Sequence, residues 1–128
     1  MAQPTEGPSI AKNATAILQV ILASLSAIKR YTAGGRDEFL SNGMVQAAVA
    51  KKLEVIGQLS QHLPPQVLAL HPEVQWHDAP GMQDHLNRYF LGSAFSLFEE
   101  QMWETVEEQV PAMQAAVIDL LNHLEAQP

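Results

Sequence analysis

The sequence predicts an all-α protein, an up-and-down antiparallel bundle of four to five helices. Apolar residues recur at the spacing that places them on one face of a helix, first from Ser9 to Tyr31 and again from Val45 to Leu63. Glycine and proline pairs separate these runs. The sequence has no alternating strand pattern between hairpin turns and no internal repeat. These observations favour a helical bundle over a fold that contains a sheet.

The first helix is expected to run from Ser9 to near Tyr31, because Gly34-Gly35 favours a helix end. A short structured loop follows, in which Asp37 is the expected cap of a single helical turn. Asn42-Gly43 marks the boundary before the next apolar run.

The second helix carries the stripe from Val45 to Leu63 and is expected to end at Pro64-Pro65. Residues Gln66 to Leu70 are consistent with one further helical turn. Trp76 then lies in an extended or turned stretch that Pro80-Gly81 closes.

A third helix is predicted to start around Pro80 or Gly81 and to include Phe90, with a break or bend at Gly92 to Ser96. The apolar pattern restarts at Leu97. Pro111 lies either in the first turn of a last helix or at a kink inside a continuous one.

Length and composition predict one domain. The chain has 128 residues, of which 47% are hydrophobic and 16% are charged, so it is long enough to bury a core and too apolar for a disordered chain. Residues 1–8 contain two prolines and a glycine without an apolar pattern. We therefore predict a flexible N-terminal tail over residues 1–8 and a single helical domain over residues 9–128.

The charge balance argues against a protein that binds duplex DNA. Seven basic residues against 14 acidic ones give a net charge of -7, so any RNA contact must be local. The acidic run from Glu99 to Glu108 is interpreted either as a solvated face or as a docking face for a basic partner.

Targeting signals and membrane spans are not expected. The longest apolar stretch, Ala14 to Ile28, is interrupted by polar residues, and nothing around it resembles a signal peptide. We therefore predict a cytoplasmic protein without membrane contact. The absence of cysteine excludes a disulfide framework, a thiolate zinc site and a cysteine nucleophile.

No metal or cofactor is expected. None of the five histidines belongs to a Glu-x-x-His or His-x-x-x-His pair, the arrangements that hold metals on a helix face. The chain also lacks a glycine-rich phosphate loop and a serine-hydrolase elbow.

The candidate site is the segment Gly81 to Phe90. Polar and ionisable groups crowd the start of a predicted helix there, beside an aromatic pair, which is unusual for plain packing. The candidate residues are Gln83, Asp84, His85, Arg88 and Tyr89.

Several segments, in order from Ile10 to Leu124, resemble the HEPN-domain family, in particular the HepT-like toxins paired with a minimal nucleotidyltransferase antitoxin. The segments that carry the resemblance are Ile28 to Thr32, Phe39-Leu40, Met44 to Val49, Leu53 to Gly57, His71 to Trp76, Gly81-Met82, Trp103 to Val106 and Val110 to Met113.

The resemblance implies a helical bundle that dimerises and so brings together two copies of an Arg motif with a His a few residues further on. In that family the pair forms a metal-independent ribonuclease centre. The Arg would neutralise the scissile phosphate, and the His would move a proton. In the HepT-like branch, a tyrosine two residues beyond the His is adenylylated by the partner.

This chain departs from that motif. Gln83 stands at the Arg position, Asp84 at the following Asn position and Arg88 at the His position. Tyr89 comes one residue early, with Phe90 at the tyrosine position, so modification of Tyr89 is only a candidate. No Arg in the chain has a His five to seven residues after it.

These departures leave three hypotheses open. The first is an atypical or catalytically degenerate HepT-like protein that acts by binding a protein or nucleotide, with Gln83, Asp84 and Tyr89 as binding residues. The second is an RNA-cleaving toxin that uses His85 as acid or base and Arg88 as phosphate clamp at the dimer interface. The third is a structural helical interaction module. The expected partners are a second copy of the chain and a minimal nucleotidyltransferase antitoxin, with RNA as a further candidate.

Overall fold

The fold was obtained as a computed structural model that describes residues 6–74, 76 and 95–126, with the backbone alone for residues 6–12 and 95–98. Every regular element in these ranges is helical, so the predicted all-α class is confirmed. The helices are α1 (Glu6–Tyr31), α2 (Arg36–Ser41), α3 (Gly43–Ser60), α4 (Pro65–Leu68), α5 (Phe95–Glu104) and α6 (Val110–Glu125). A π-helical turn, Thr105–Gln109, joins α5 to α6.

Helix α1 is the centre of the bundle, and it packs against both α3 and α6. It begins at Glu6, three residues before the expected start. Pro8 is tolerated in the first turn because N–H groups there have no intrahelical acceptor, so the missing proline N–H costs no hydrogen bond. Buried apolar side chains of α1, α3 and α6 form most of the core: Ala14, Leu18, Ile21, Leu25, Ile28, Val49, Ala50, Leu53, Ile56, Met113, Ala116, Val117 and Leu120.

The connection between α1 and α3 reverses the chain within a few residues. Gly35 has φ +92°, a conformation that L side chains rarely adopt, and it stands at the N-cap of α2. The expectation that Asp37 is that cap was therefore wrong: Asp37 lies in the first turn of α2, where its charge faces the positive end of the helix dipole. The Oδ1 atom of Asn42 accepts from the backbone N–H groups of Met44 (3.1 Å) and Val45 (3.2 Å), so Asn42 caps α3.

Helix α2 is held against α3 by one buried side chain. The Nε2 atom of Gln46 on α3 donates to the carbonyl oxygens of Phe39 (2.8 Å) and Leu40 (3.2 Å) in the last turn of α2. The backbone N–H of Asn42 also donates to the Phe39 carbonyl (3.3 Å), so the Gln46 amide adds a second donor there. The Phe39 ring, 1% exposed, lies between α2 and the rest of the core.

Helix α3 ends at Ser60, earlier than the predicted stop at Pro64-Pro65. The backbone narrows to a 3-10 turn there, because the N–H groups of His62 and Leu63 donate to the carbonyl oxygens of Leu59 and Ser60, three residues back. Leu63 nevertheless packs in the core. Pro65 then opens α4, where its fixed φ suits the first helical position.

The helix from Phe95 to Glu125 is continuous in backbone conformation but widens at its middle. The N–H of Val110 donates to the carbonyl oxygen of Thr105, five residues back. Pro111 follows at once, and it has no N–H with which to continue the regular ladder. Pro111 lies in the first turn of α6, and the backbone before it is also helical, so each of the two alternatives describes part of what the structure shows.

None of the helices in these ranges combines the length and apolar character that crossing a membrane requires.

Candidate functional site

The predicted site residues Gln83, Asp84, His85, Arg88 and Tyr89 all lie outside the described residues, as does the predicted third helix. The structure instead describes the two elements that flank this segment in the chain. These are the loop from His71 to Trp76, of which residue 75 is not described, and the helix that begins at Phe95.

The loop before the segment is fastened to α6 through His71. Its Nδ1 atom lies 2.8 Å from Oε2 of Glu73, and its Nε2 atom lies 2.8 Å from Oδ2 of Asp119. Because a carboxylate faces each ring nitrogen, both nitrogens donate only when the imidazole is protonated. These hydrogen bonds, first to Glu73 and then to Asp119, raise the pKa of His71 above 6.5. The bond from His71 lowers the pKa of Glu73 below 4.5.

Trp76 closes the same loop from inside. Its indole Nε1 donates to the carbonyl oxygen of His71 (3.1 Å), and the side chain is 6% exposed. Val74 is also buried. The aromatic anchor and the charged contact thus fix the chain on the N-terminal side of the predicted site.

The helix after the segment is anchored by aromatic packing. The Trp103 and Phe39 ring centroids lie 5.4 Å apart with the planes tilted by 42°, which is an ordinary stabilising arrangement. The Nε1 atom of Trp103 is buried and has no acceptor among the described residues. An exposed ion pair between Arg36 and Glu100 (3.7 Å) adds a weak link from α2 to α5.

The acidic run is solvent-facing along much of α5 and the π-helical turn. Glu100, Glu104, Glu107 and Glu108 are exposed. Among the described basic residues, Arg36 pairs with Glu100 and Lys51 pairs with Glu54 (3.2 Å). Exposure of these carboxylates is expected of both interpretations of the run, a solvated face and a docking face for a basic partner.

A cleft of about 190 Å³ lies where the loop meets the π-helical turn. Two carboxylates, one amide and three apolar side chains line it: Glu73, Glu108, Gln109, Val74, Ala112 and Met113. Val74 and Met113 are buried, whereas Glu73 and Glu108 reach solvent.

In the described ranges, no three His, Asp or Glu side chains are arranged to hold a metal ion. His71, Glu73 and Asp119 do not converge on one point, because the two carboxylates lie on opposite ring nitrogens.

Sequence reasoning missed the role of His71 and Asp119. The two residues are 48 positions apart, and neither belongs to a recognisable local motif. Only the packing of α6 against the loop brings them together. The nearest signal was the inclusion of His71 to Trp76 among the resembling segments.

Comparison with known proteins gives a consistent result. The family described as Ribonuclease HepT-like matches residues 21–120 of this chain. The chain is 32% identical over 77 residues to "Probable ribonuclease HepT" of Thermococcus cleftensis. These 77 residues are 60% of this chain and 66% of that protein.

Two proteins of Methanocaldococcus jannaschii are also similar. One, named a "Putative RNase", is 27% identical over 117 residues, 91% of this chain and 93% of that protein. The other, named "Gamma-glutamylcyclotransferase and putative RNase", is 26% identical over 115 residues, which is 89% of this chain and 50% of its own length. The aligned region thus spans 66% of the Thermococcus protein and 50% of the second Methanocaldococcus protein. No solved structure matches.

Proposed function

Because this chain belongs to the HepT-like ribonuclease family, we propose that it is an atypical, catalytically degenerate HepT-like subunit of a toxin and minimal-nucleotidyltransferase pair, which acts by binding a protein or a nucleotide. The observation that carries this proposal is the exchange at the two motif positions. By the resemblance, Gln83 and Arg88 stand where the family pattern has Arg and His, and both fall within residues 21–120, which match the family.

The exchange removes both chemical functions of the motif. The Gln83 side chain is neutral and cannot balance the charge of a phosphate. The Arg88 guanidinium stays protonated from neutral to strongly alkaline pH, so it cannot accept a proton near neutrality. An Arg at the second position still attracts phosphates, which supports binding of a nucleotide or an RNA end over its cleavage.

The residues that flank this segment on both sides are held by contacts within the bundle. The loop ending at Trp76 is anchored by the His71 contacts and by burial of the indole. The helix beginning at Phe95 is anchored by the Trp103 and Phe39 rings. The described residues on both sides of the segment are therefore packed into the bundle.

The test restores the motif in this chain. The double variant Gln83→Arg with Arg88→His is incubated with total tRNA and a small RNA pool without added metal, beside the unchanged protein and each single variant. We expect no cleavage above background by the unchanged protein and cleavage by the double variant. Cleavage by the unchanged protein would contradict degeneracy. If the double variant folds but does not cleave RNA, more than the motif has been lost.

The second candidate is RNA cleavage by a rearranged pair, with His85 as acid or base and Arg88 as phosphate clamp. The names of the similar proteins, which include ribonuclease, favour it. On this hypothesis, His85→Ala and Arg88→Ala each abolish cleavage without an appreciable loss of melting temperature. The matched control is His62→Ala, an exposed histidine outside the segment. If both site variants cleave RNA as fast as the unchanged protein, this candidate is excluded.

The proposed assembly is a homodimer of single-domain chains in the cytoplasm that engages a minimal nucleotidyltransferase. Light scattering then gives a mass near twice 14.0 kDa, and a monomer at every accessible concentration would remove any composite site. Incubation with the nucleotidyltransferase and ATP, followed by peptide mass spectrometry, tests Tyr89 as the modified residue. The control is Tyr89→Phe.

A further inference from the structure

The cleft between the loop and the π-helical turn is lined in a way that suits one kind of occupant. Its lining combines the buried side chains of Val74 and Met113 with the carboxylates of Glu73 and Glu108. We propose that this cleft is a docking site for an arginine side chain presented by a protein partner. The proposal does not depend on whether the segment of residues 81–90 is active.

The shape and polarity of the lining match those of an arginine. The three methylenes of that side chain are apolar and pack on Val74, Ala112 and Met113, while the charged end stays at the rim. A guanidinium is planar and weakly hydrated, and it donates in several directions at once. It therefore matches a site whose acceptors, Glu73 and Glu108, come from two separate elements.

One of the two carboxylates is held in place before any partner arrives. Oε2 of Glu73 lies 2.8 Å from Nδ1 of His71, and Asp119 holds the other ring nitrogen. His71 thus links Glu73 to Asp119 at this end of the cleft. An acceptor fixed in this way loses less conformational entropy when it binds.

The other carboxylate, that of Glu108, forms no ion pair with a described residue. In the described part of the chain no cation pairs with Glu108, and Glu104 and Glu107 lie close to it in sequence. The amide of Gln109 adds one more polar group to the lining. The whole chain carries a net charge of -7. Such a surface attracts a basic protein segment and repels nucleic acid, so charge complementarity selects a protein as the occupant.

The test follows the methyl group of Met113 by NMR in protein labelled at methionine methyls. The ligand is the capped peptide acetyl-Gly-Arg-Gly-amide at low salt, and the reference ligand is the same peptide with citrulline in place of arginine. We expect a saturable shift of the Met113 signal with the arginine peptide and none with citrulline. Replacing arginine with lysine should weaken binding, because the ammonium is compact and strongly hydrated.

Two variants with matched controls locate the site. Glu108→Gln should weaken binding of the arginine peptide roughly three- to tenfold, the size of one charged contact in a partly exposed cleft. Glu104→Gln makes the same charge change outside the cleft and should have little effect. Ala112→Leu fills the cleft and should abolish the shift, whereas Ala115→Leu, at an exposed position outside the lining, should not.

Three results would overturn the proposal. The first is the absence of a saturable Met113 shift with the arginine peptide. The second is an equal effect of Glu104→Gln and Glu108→Gln, which would indicate diffuse attraction of cations. The third is a dimer by light scattering that Glu108→Gln dissociates, since the occupant would then be a second copy of the chain. None of these results bears on the motif-restoration experiment.

Discussion

The imidazole Nε2 of His71 lies 2.8 Å from Oδ2 of Asp119, and this contact joins the loop before the predicted site to the last helix of the bundle. The two residues are 48 positions apart. Since Trp76 donates to the backbone of His71, the contact also links the position of Trp76 to the last helix.

Asp119→Asn should lower stability in a pH-dependent way. The variant removes the charged acceptor on Nε2, and we expect the free energy of unfolding to fall by roughly 0.2–1 kcal/mol at about pH 5.5. The pKa of His71 is higher in the folded protein than its unfolded value of 6.5. The contribution is therefore complete below 6.5 and disappears as the pH rises through the folded pKa of His71.

Urea unfolding followed by circular dichroism at about pH 5.5 and about pH 9 measures this difference. Glu104→Gln is the control, because Glu104 is an exposed carboxylate outside the contact. Below the unfolded Glu73 pKa of 4.5, the Glu73 part of the contact is also lost as the pH falls through its lowered folded value. A deficit of the same size at both pH values would contradict a charged contact.

Gln46→Leu should destabilise the protein by about 1–3 kcal/mol, because it leaves the carbonyls of Phe39 and Leu40 without the buried amide donor. Gln58→Leu makes the same exchange at an exposed position of α3 and should change little. Thermal unfolding of the two variants gives the comparison. If Gln46→Leu were as stable as the unchanged protein, water would have to donate to these carbonyls in place of the amide.

Gly35→Ala and Gly43→Ala should change stability in opposite directions. Gly35 has φ +92° and ψ -177°, so an alanine there is strained and costs about 1–3 kcal/mol. Gly43 begins α3, and an added Cβ would meet nothing within 4 Å. An alanine at position 43 should stabilise by up to about 1 kcal/mol by restricting the unfolded chain. Chemical denaturation distinguishes the two, and a loss at both sites would contradict the conformational argument.

Leu120→Ala should cost about 2–5 kcal/mol, because Leu120 is 0% exposed in the core formed by α1, α3 and α6. Leu70→Ala removes the same atoms from a side chain that is 50% exposed, and it should cost about 0.5 kcal/mol or less. The two unfolding midpoints test whether the core lies where the structure places it. A small effect at position 120 would mean that it does not.

Much of the fold could be predicted because helical periodicity is a local signal. The apolar stripes located α1 and α3, and the Asn42-Gly43 boundary fell at the cap of α3. Element ends were less certain. Asp37 was assigned as a cap, although Gly35 provides that position at a positive φ that glycine adopts readily. Helix α3 stops before its prolines, where the chain tightens and Leu63 is buried.

The sequence by itself determined the helical class and the family, and it predicts that Gln83 and Arg88 stand at the motif positions. Each of these depends on residue identity along the chain. Only the tertiary structure decided that Gln46 closes α2, that His71 joins Asp119, and that Glu73 and Glu108 share one cleft. Such contacts form when packing brings distant helices together, and periodicity specifies which face of a helix is buried but not which polar groups meet at its edge.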